Sequence, residues 1–162
     1  MAHRTSPTNQ GLYLLSTLAA HDLGYLSLAA LAERVENAFA TFDRLDRFRG
    51  HFYNWYDTQS LGVLEPGYVS TVDSGNLLGC LLALRQGLLG KVEARPDLGA
   101  AHEGLRDALR LAAEQFHALE VPGSPPPPNF QAVEARLTEL DRLMGEQPAD
   151  LPEWDAWLAR KT

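Results

Sequence analysis

Ser27-Leu28-Ala29-Ala30-Leu31-Ala32-Glu33-Arg34-Val35-Glu36-Asn37-Ala38-Phe39-Ala40-Thr41-Phe42-Asp43-Arg44-Leu45 is the clearest structural signal in the chain. Leu28, Leu31, Val35, Ala38, Phe42 and Leu45 recur every three to four residues, and charged side chains fill much of the remaining surface. That period places one apolar stripe on an α-helix, and it predicts about five turns, closed by Gly50. Upstream, Ser6 and Pro7 have the chemistry of an N-cap and a first helical residue. Leu12, Leu14, Leu15, Leu18 and Ala19 then give a broad apolar face that stops at Gly24. Two helices joined by so short a link predict an antiparallel hairpin.

The helical pattern breaks between about 51 and 72. His51-Phe52-Tyr53-Asn54-Trp55-Tyr56-Asp57-Thr58 is aromatic and polar, and Tyr68-Val69-Ser70-Thr71-Val72 is aromatic and β-branched. Between them the turn formers of Gln59–Gly67 predict a long ordered loop, so a short β-like hairpin is expected at about 52–72. A third helix is expected to be capped by Asp73 or Ser74. Its leucines, Leu77, Leu78, Leu81, Leu82, Leu84, Leu88 and Leu89, surround it nearly completely, which predicts burial on most sides. Gly79, Gly87 and Gly90 lower its propensity and predict close backbone packing. A fourth helix is expected from about Asp97 to Leu119. The prolines at 125–128 favour polyproline II and set off a linker at 121–129. A fifth helix carries Phe130, Val133, Leu137, Leu140 and Leu143, and a Pro-started tail carries Trp154 and Trp157. The fold class is all-α, in three parts: 1–120, the linker 121–129, and a helical segment 130–162.

Composition narrows function. The 162-residue chain is 45% apolar and carries a formal charge of −7. Such acidity disfavours phosphate backbones and anionic bilayers, so neither a nucleic-acid nor a membrane partner is expected. No stretch reaches the ~18–20 apolar residues of a membrane span, and the first residues lack an apolar signal core. The lone Cys80 fits a reducing compartment and reads as a small buried hydrophobe. The expected location is cytoplasmic, within a larger membrane-associated protein if the chain is part of one. The five histidines show no metal-ligand spacing with Cys or acidic residues. No glycine loop for phosphate and no nucleophile elbow occurs. No cofactor or metal is expected.

The loop holds the candidate chemistry. Flat aromatic faces beside Asn and Asp suit sugars: rings stack on pyranose C–H faces, and amides and carboxylates take hydroxyls. On composition alone, the same residues read equally well as an aromatic plug between helices with Asp57 and Asp73 as caps. Asp57 paired with Glu65 or Asp73 would be the carboxylate couple of a small glycosidase.

Three segments in order, Arg4–Leu12, Arg49–Thr58 and Tyr68–Leu77, resemble the middle region of the cyclic β-1,2-glucan synthases, where it leads into their glycoamylase-like transglycosylation domain. The resemblance covers roughly residues 3–120. It implies an (α/α)6 toroid with a β-glucan oligosaccharide in its groove and retaining transglycosylation as the reaction. It places Ser6, Thr8 and Asn9 at a helix start facing the groove. It places Asn54, Trp55, Tyr56 and Asp57, then Ser70, Asp73 and Asn76, at its mouth. The family's principal acids lie beyond the matched region, so no catalytic residue carries over and autonomous catalysis is not expected. This chain holds roughly half the helices of a full ring. The implied partner is the remaining toroid, or a second copy covering the apolar third helix. The rival reading is a helical interaction or scaffold module with a structural aromatic loop.

Overall fold

The computed structural model describes residues 3–95, 97–119, 128–145 and the single positions 148, 153, 154, 156 and 159. The proline run up to residue 127 and most of the Trp-bearing tail lie outside the described residues. The chain divides into two compact units, Met1–Pro96 and Asp97–Thr162. The division falls inside the span 1–120 that the sequence treats as one piece. The candidate site lies wholly in the first unit.

The first unit contains three helices: α1 (Pro7–Asp22), α2 (Leu28–Phe42) and α3 (Thr71–Glu93). Four two-residue strands accompany them: β1 (Arg4–Thr5), β2 (Arg47–Phe48), β3 (His51–Phe52) and β4 (Tyr56–Asp57). The strands form two antiparallel pairs, β1 with β4 and β2 with β3. The fold is therefore all-α with a small β-like excursion, as the helical periodicity indicates. The second unit holds α4 (Leu98–His117), capped by Asp97, and α5 (Phe130–Met144). These two helices pack on one another, with Phe116 and Phe130 stacked at 4.3 Å.

Ser6 caps α1 through its Oγ, which accepts from Asn9 N, and Pro7 takes the first helical position. Ser27 caps α2 in the same way through Ala30 N. α2 is shorter than its stripe predicts. At Asp43–Leu45 the last turn tightens, with Arg44 N and Leu45 N bonding Thr41 O and Phe42 O. Arg47 then reaches back to Phe42 O at 3.1 Å. Phe42 O thus accepts from both Leu45 N and the Arg47 side chain in place of the N–H that a longer helix would have offered, and the chain turns into the β2–β3 hairpin. Leu45 stays buried after the helix has ended because its face still points at the core.

α3 begins earlier than the sequence indicates. Ser70, rather than Asp73 or Ser74, is the N-cap, and Thr71 and Val72 are helical rather than extended. Ser70 Oγ accepts from Asp73 N at 3.1 Å, and the Asp73 carboxylate stands at the third helical position, where an acidic group favours a helix start. A satisfied helix terminus outweighs the strand preference of two β-branched residues.

Contacts between α1 and α3 climb both helices in one direction. Thr8 meets Asp73 and Asn76 at the base. Gly11 lies against Leu77 and Cys80, Leu18 against Gly87, and Asp22 pairs with Lys91 at the top. The two helices are parallel neighbours. The α1–α2 connection is only Leu23–Ser27, and Phe42 and Leu45 return to the same small void as Ser6, Pro7 and Gln10. So α2 runs antiparallel to α1 and the order is up, down, up. Leu14, Leu31, Val35, Ala38, Phe42, Leu45, Tyr56 and Leu84 form the core between them.

α1 and α3 approach through Gly11, where an added Cβ would lie 2.8 Å from Cys80 Cβ and 3.4 Å from Leu77 Cα. Gly79, in contrast, faces open space. The burial expected all round α3 is not found: only Leu77 and Leu84 are buried, while Leu78, Leu82 and Leu89 stand exposed. Gly11→Ala is expected to destabilise the first unit by about 1–3 kcal/mol through overpacking. Gly79→Ala is expected to stabilise it by about 0.5–1 kcal/mol through helix propensity. Opposite shifts in urea midpoint would confirm the helix pairing; shifts of the same sign would contradict it.

Candidate functional site

Parallel packing brings the starts of α1 and α3 to the same end of the unit, and the loop 53–70 closes over them. The link between them is a one-way hydrogen-bond relay. Asn76 Nδ2 donates to Thr8 Oγ1 at 3.1 Å, and Thr8 Oγ1 donates to Asp73 Oδ1 at 2.6 Å. From the loop side, the Asn54 amide fits its surroundings with NH2 toward Asp73 Oδ2, 2.9 Å away. Its oxygen then accepts from Trp55 Nε1 at 2.8 Å and from the Tyr68 hydroxyl. The reverse orientation would set the amide oxygen against a carboxylate. Every donor in the relay ends on Asp73, which, ionised, only accepts.

The Asp73 carboxyl is held below the usual carboxylate range. The Ser70 side chain is the largest cause, followed by the Thr8 hydroxyl; burial opposes them, and Ser6 and the Thr8 backbone N–H assist. Charge-assisted hydrogen bonds and two helix N-termini all favour the ionised form. Ser6 and Asn54 are buried in the process.

Tyr56 is a core residue, 1% exposed, rather than a free ring at the mouth. Its hydroxyl donates to Asp46 O at 2.6 Å and accepts from Tyr53 N at 2.8 Å, and burial raises its pKa. The plug reading is right for this residue. Asp57 turns back on its own loop. Its Oδ1 accepts from Gln59 N, Ser60 N and Ser60 Oγ. Those bonds, with the Ser60 N–H first, lower its pKa. Neither Asp57 nor Asp73 has the raised pKa of a proton-donating acid at neutral pH.

Trp55 is half-buried, with the Arg4 guanidinium 4.7 Å from its ring centroid. Asn9 and Asn76 are exposed, and Tyr68 is 48% exposed. Of the ten sequence-predicted residues, Ser6, Thr8, Asn54, Trp55, Ser70, Asp73 and Asn76 meet in one connected cluster with their caps. Asn9 stands beside it as the donor to the Ser6 cap. Tyr56 lies in the core, and Asp57 is engaged with its own turn. Arg4 and Tyr68 join the cluster without having been singled out among the binding residues. The signal for Arg4 was its place at the head of the Arg4–Leu12 segment. That for Tyr68 was the one aromatic ring in the otherwise largely β-branched run Tyr68–Val72.

In the second unit, α4 and α5 flank an open cleft of about 410 Å³ lined by Glu103, Arg106, Asp107, Arg110, Glu134 and Asp141 among others. It shares no residue with this cluster. Among the described residues, no helix is long and apolar enough to cross a membrane.

The arrangement defines a protein of packed helical hairpins whose polar, aromatic cluster sits at the shared starting end of two parallel helices. Over 84 residues, 52% of the chain, it is 50% identical to the cyclic beta-(1,2)-glucan synthase NdvB of Rhizobium meliloti (strain 1021). The chain spans 3% of that protein's length. The likeness supports the family resemblance as a partial match. No family model matches the chain.

Asp73→Ala is expected to lower stability at neutral pH by about 1–3 kcal/mol, since it leaves buried donors without an acceptor. Because the folded-state pKa is depressed, Asp73 contributes fully above its unfolded value of about 3.9, and the contribution disappears as pH falls through the folded value. Chemical denaturation of wild type and variant should therefore converge below about pH 4. A gap that stays constant into acid would contradict the carboxylate's role.

Proposed function

We propose that this chain forms one rim of a groove that binds β-1,2-glucan, as the first hairpins of a partial (α/α)6 toroid, and does not catalyse alone. The similarity to NdvB over half of the chain carries the reading. The up, down, up order of α1, α2 and α3 supports it, because a toroid alternates inner parallel helices with outer returning ones. On this reading α1 and α3 are inner helices, and their shared starting end faces the groove.

The ligand-facing groups are then the exposed Asn9, Asn76 and Tyr68 with the half-buried Thr8 and Trp55, which together supply amide, hydroxyl and aromatic chemistry. Ser6, Asn54, Ser70 and Asp73 hold these groups in place from behind. That is the economy expected of a sugar site: few contacting groups on a rigid, fully hydrogen-bonded support. Asp57 and Asp73, both held ionised by hydrogen bonds, fit positioning and not proton transfer.

The exposed stripe of Leu78, Leu82 and Leu89 on α3 is where the remaining toroid would pack, or a second copy of the chain in its absence. Burying one leucine is worth about 1.5–3 kcal/mol, so an uncovered row of them favours association. Sedimentation velocity is expected to show concentration-dependent association, and Leu82→Glu to reduce it; a monodisperse wild-type monomer at all concentrations would contradict this.

Titration with β-1,2-glucooligosaccharides is expected to change tryptophan fluorescence. Asn76→Ala is expected to weaken binding about fivefold, the value of one net hydrogen bond. No response of the folded wild type to millimolar sugar would overturn the reading. Trp55→Ala that unfolds the protein, with no sugar effect anywhere, would leave the scaffold alternative in its place.

A further inference from the structure

Arg4 is held firmly but its charge is not used. Its backbone is fixed by the β1–β4 pair, where Arg4 lies opposite Asp57 and Thr5 opposite Tyr56. Thr58 N extends that anchorage to His3 O. Opposite charges facing each other in an antiparallel pair would ordinarily meet. Here they do not. The Asp57 carboxylate folds back onto the Gln59 and Ser60 donors, and the guanidinium lies over Trp55 at 4.7 Å from its centroid. Among the described residues the Arg4 guanidinium makes no hydrogen bond and no ion pair, its backbone alone being paired. Arg47, the comparable arginine over Phe52, spends its donors on Phe42 O and Asp43.

A guanidinium presents five N–H donors in one plane. It lies over the indole while Arg4 stays exposed, so its N–H donors remain open to solvent. Trp55 in turn is fixed by its Nε1 bond to Asn54, and through Asn54 to Asp73. The donor edge is thus tied to the same relay that positions Thr8 and Asn76. One face of Trp55 is already occupied, so this tryptophan does not offer an open face on both sides for stacking.

The local field chooses the ligand. The chain carries −7, and the two nearest relevant carboxylates, Asp57 and Asp73, are both held ionised. A phosphate or carboxylate approaching this end would meet that repulsion, whereas a neutral polyol would not.

We propose that Arg4 is a ligand-contacting, specificity-determining residue of the rim, its Trp55-stacked guanidinium donating from one edge to two neighbouring hydroxyl oxygens of a neutral glucan. It rests on the reading of the site given above. Lysine cannot replace this function, because an ammonium is a point donor without the planar pair.

The test is isothermal titration calorimetry of the full chain with β-1,2-glucooligosaccharides. Wild type, Arg4→Lys and Arg4→Ala are compared, with thermal melts to show that each is folded. The strand pairing of Arg4 is by backbone, so both variants should melt close to wild type. Both should bind about ten- to a hundredfold more weakly, as expected for loss of hydrogen bonds from a charged donor. Inorganic phosphate at millimolar levels should not compete. Wild-type affinity retained in Arg4→Lys would overturn the planar-donor role, and retention in Arg4→Ala would overturn contact altogether. Competition by phosphate would overturn the neutral-ligand assignment. A folded wild type that binds no sugar would overturn the site reading itself, an outcome distinct from the other three.

Discussion

The Asp73 carboxylate is the constraint on which the first unit depends. It belongs to the third residue of α3, whose backbone N–H donates to the Ser70 cap, and it accepts from Thr8 at the start of α1, from Asn54 in the loop between, and from the Ser70 side chain. Two helix N-termini both carry partial positive charge and would repel if brought side by side. An ionised carboxylate between them converts that repulsion into attraction, and its several lone pairs let it serve three segments at once. Remove it, and the Thr8 hydroxyl, the Asn54 amide and, through Asn54, the Trp55 indole all lose their common acceptor.

Parallel pairing of α1 and α3 follows from this joint at one end and from Gly11 in the middle. Parallel neighbours cannot be consecutive through a short loop, so α2 must intervene as the return stroke and a long segment must carry the chain from α2 back to the start of α3. That segment is the aromatic loop. Its buried Tyr56 fills the core between α1 and α2, and its Asn54 reaches the joint. The same residues that close the hydrophobic core therefore deliver Trp55, Tyr68 and Arg4 to the polar end. Plug and site were offered by the sequence as rival readings of one loop; Tyr56 is the plug, while Asn54 and Trp55 beside it join the polar cluster.

The leucines of α3 show the limit of a single unit. A helix apolar nearly all round needs neighbours nearly all round, and α1 covers one side only. The stripe of Leu78, Leu82 and Leu89 accords with a chain that corresponds to a small fraction of the large protein it is similar to. The depressed pKa values of Asp57 and Asp73 keep both carboxyls ionised at neutral pH, a state in which they accept hydrogen bonds and do not donate a proton.

Local signals in the sequence determined most of the elements. Ser6-Pro7 set the start of α1, the Leu28–Leu45 stripe set α2, and Asp97 set α4, because caps and periodicity act within a few residues of themselves. The start of α3 was misplaced by three residues although its signal, Ser70 with Asp73 three positions on, was present; Thr71 and Val72 read as strand until their helix terminus was seen to be satisfied. Which face of α3 is covered, that α1 and α3 run parallel, and that Arg4 turns to Trp55 and not to Asp57 were decided only by tertiary structure. Those outcomes depend on contacts between residues some fifty to seventy positions apart, such as Thr8 with Asp73. No periodicity along the chain records them, since each partner's own neighbourhood is equally consistent with a cap, a turn or a ligand contact.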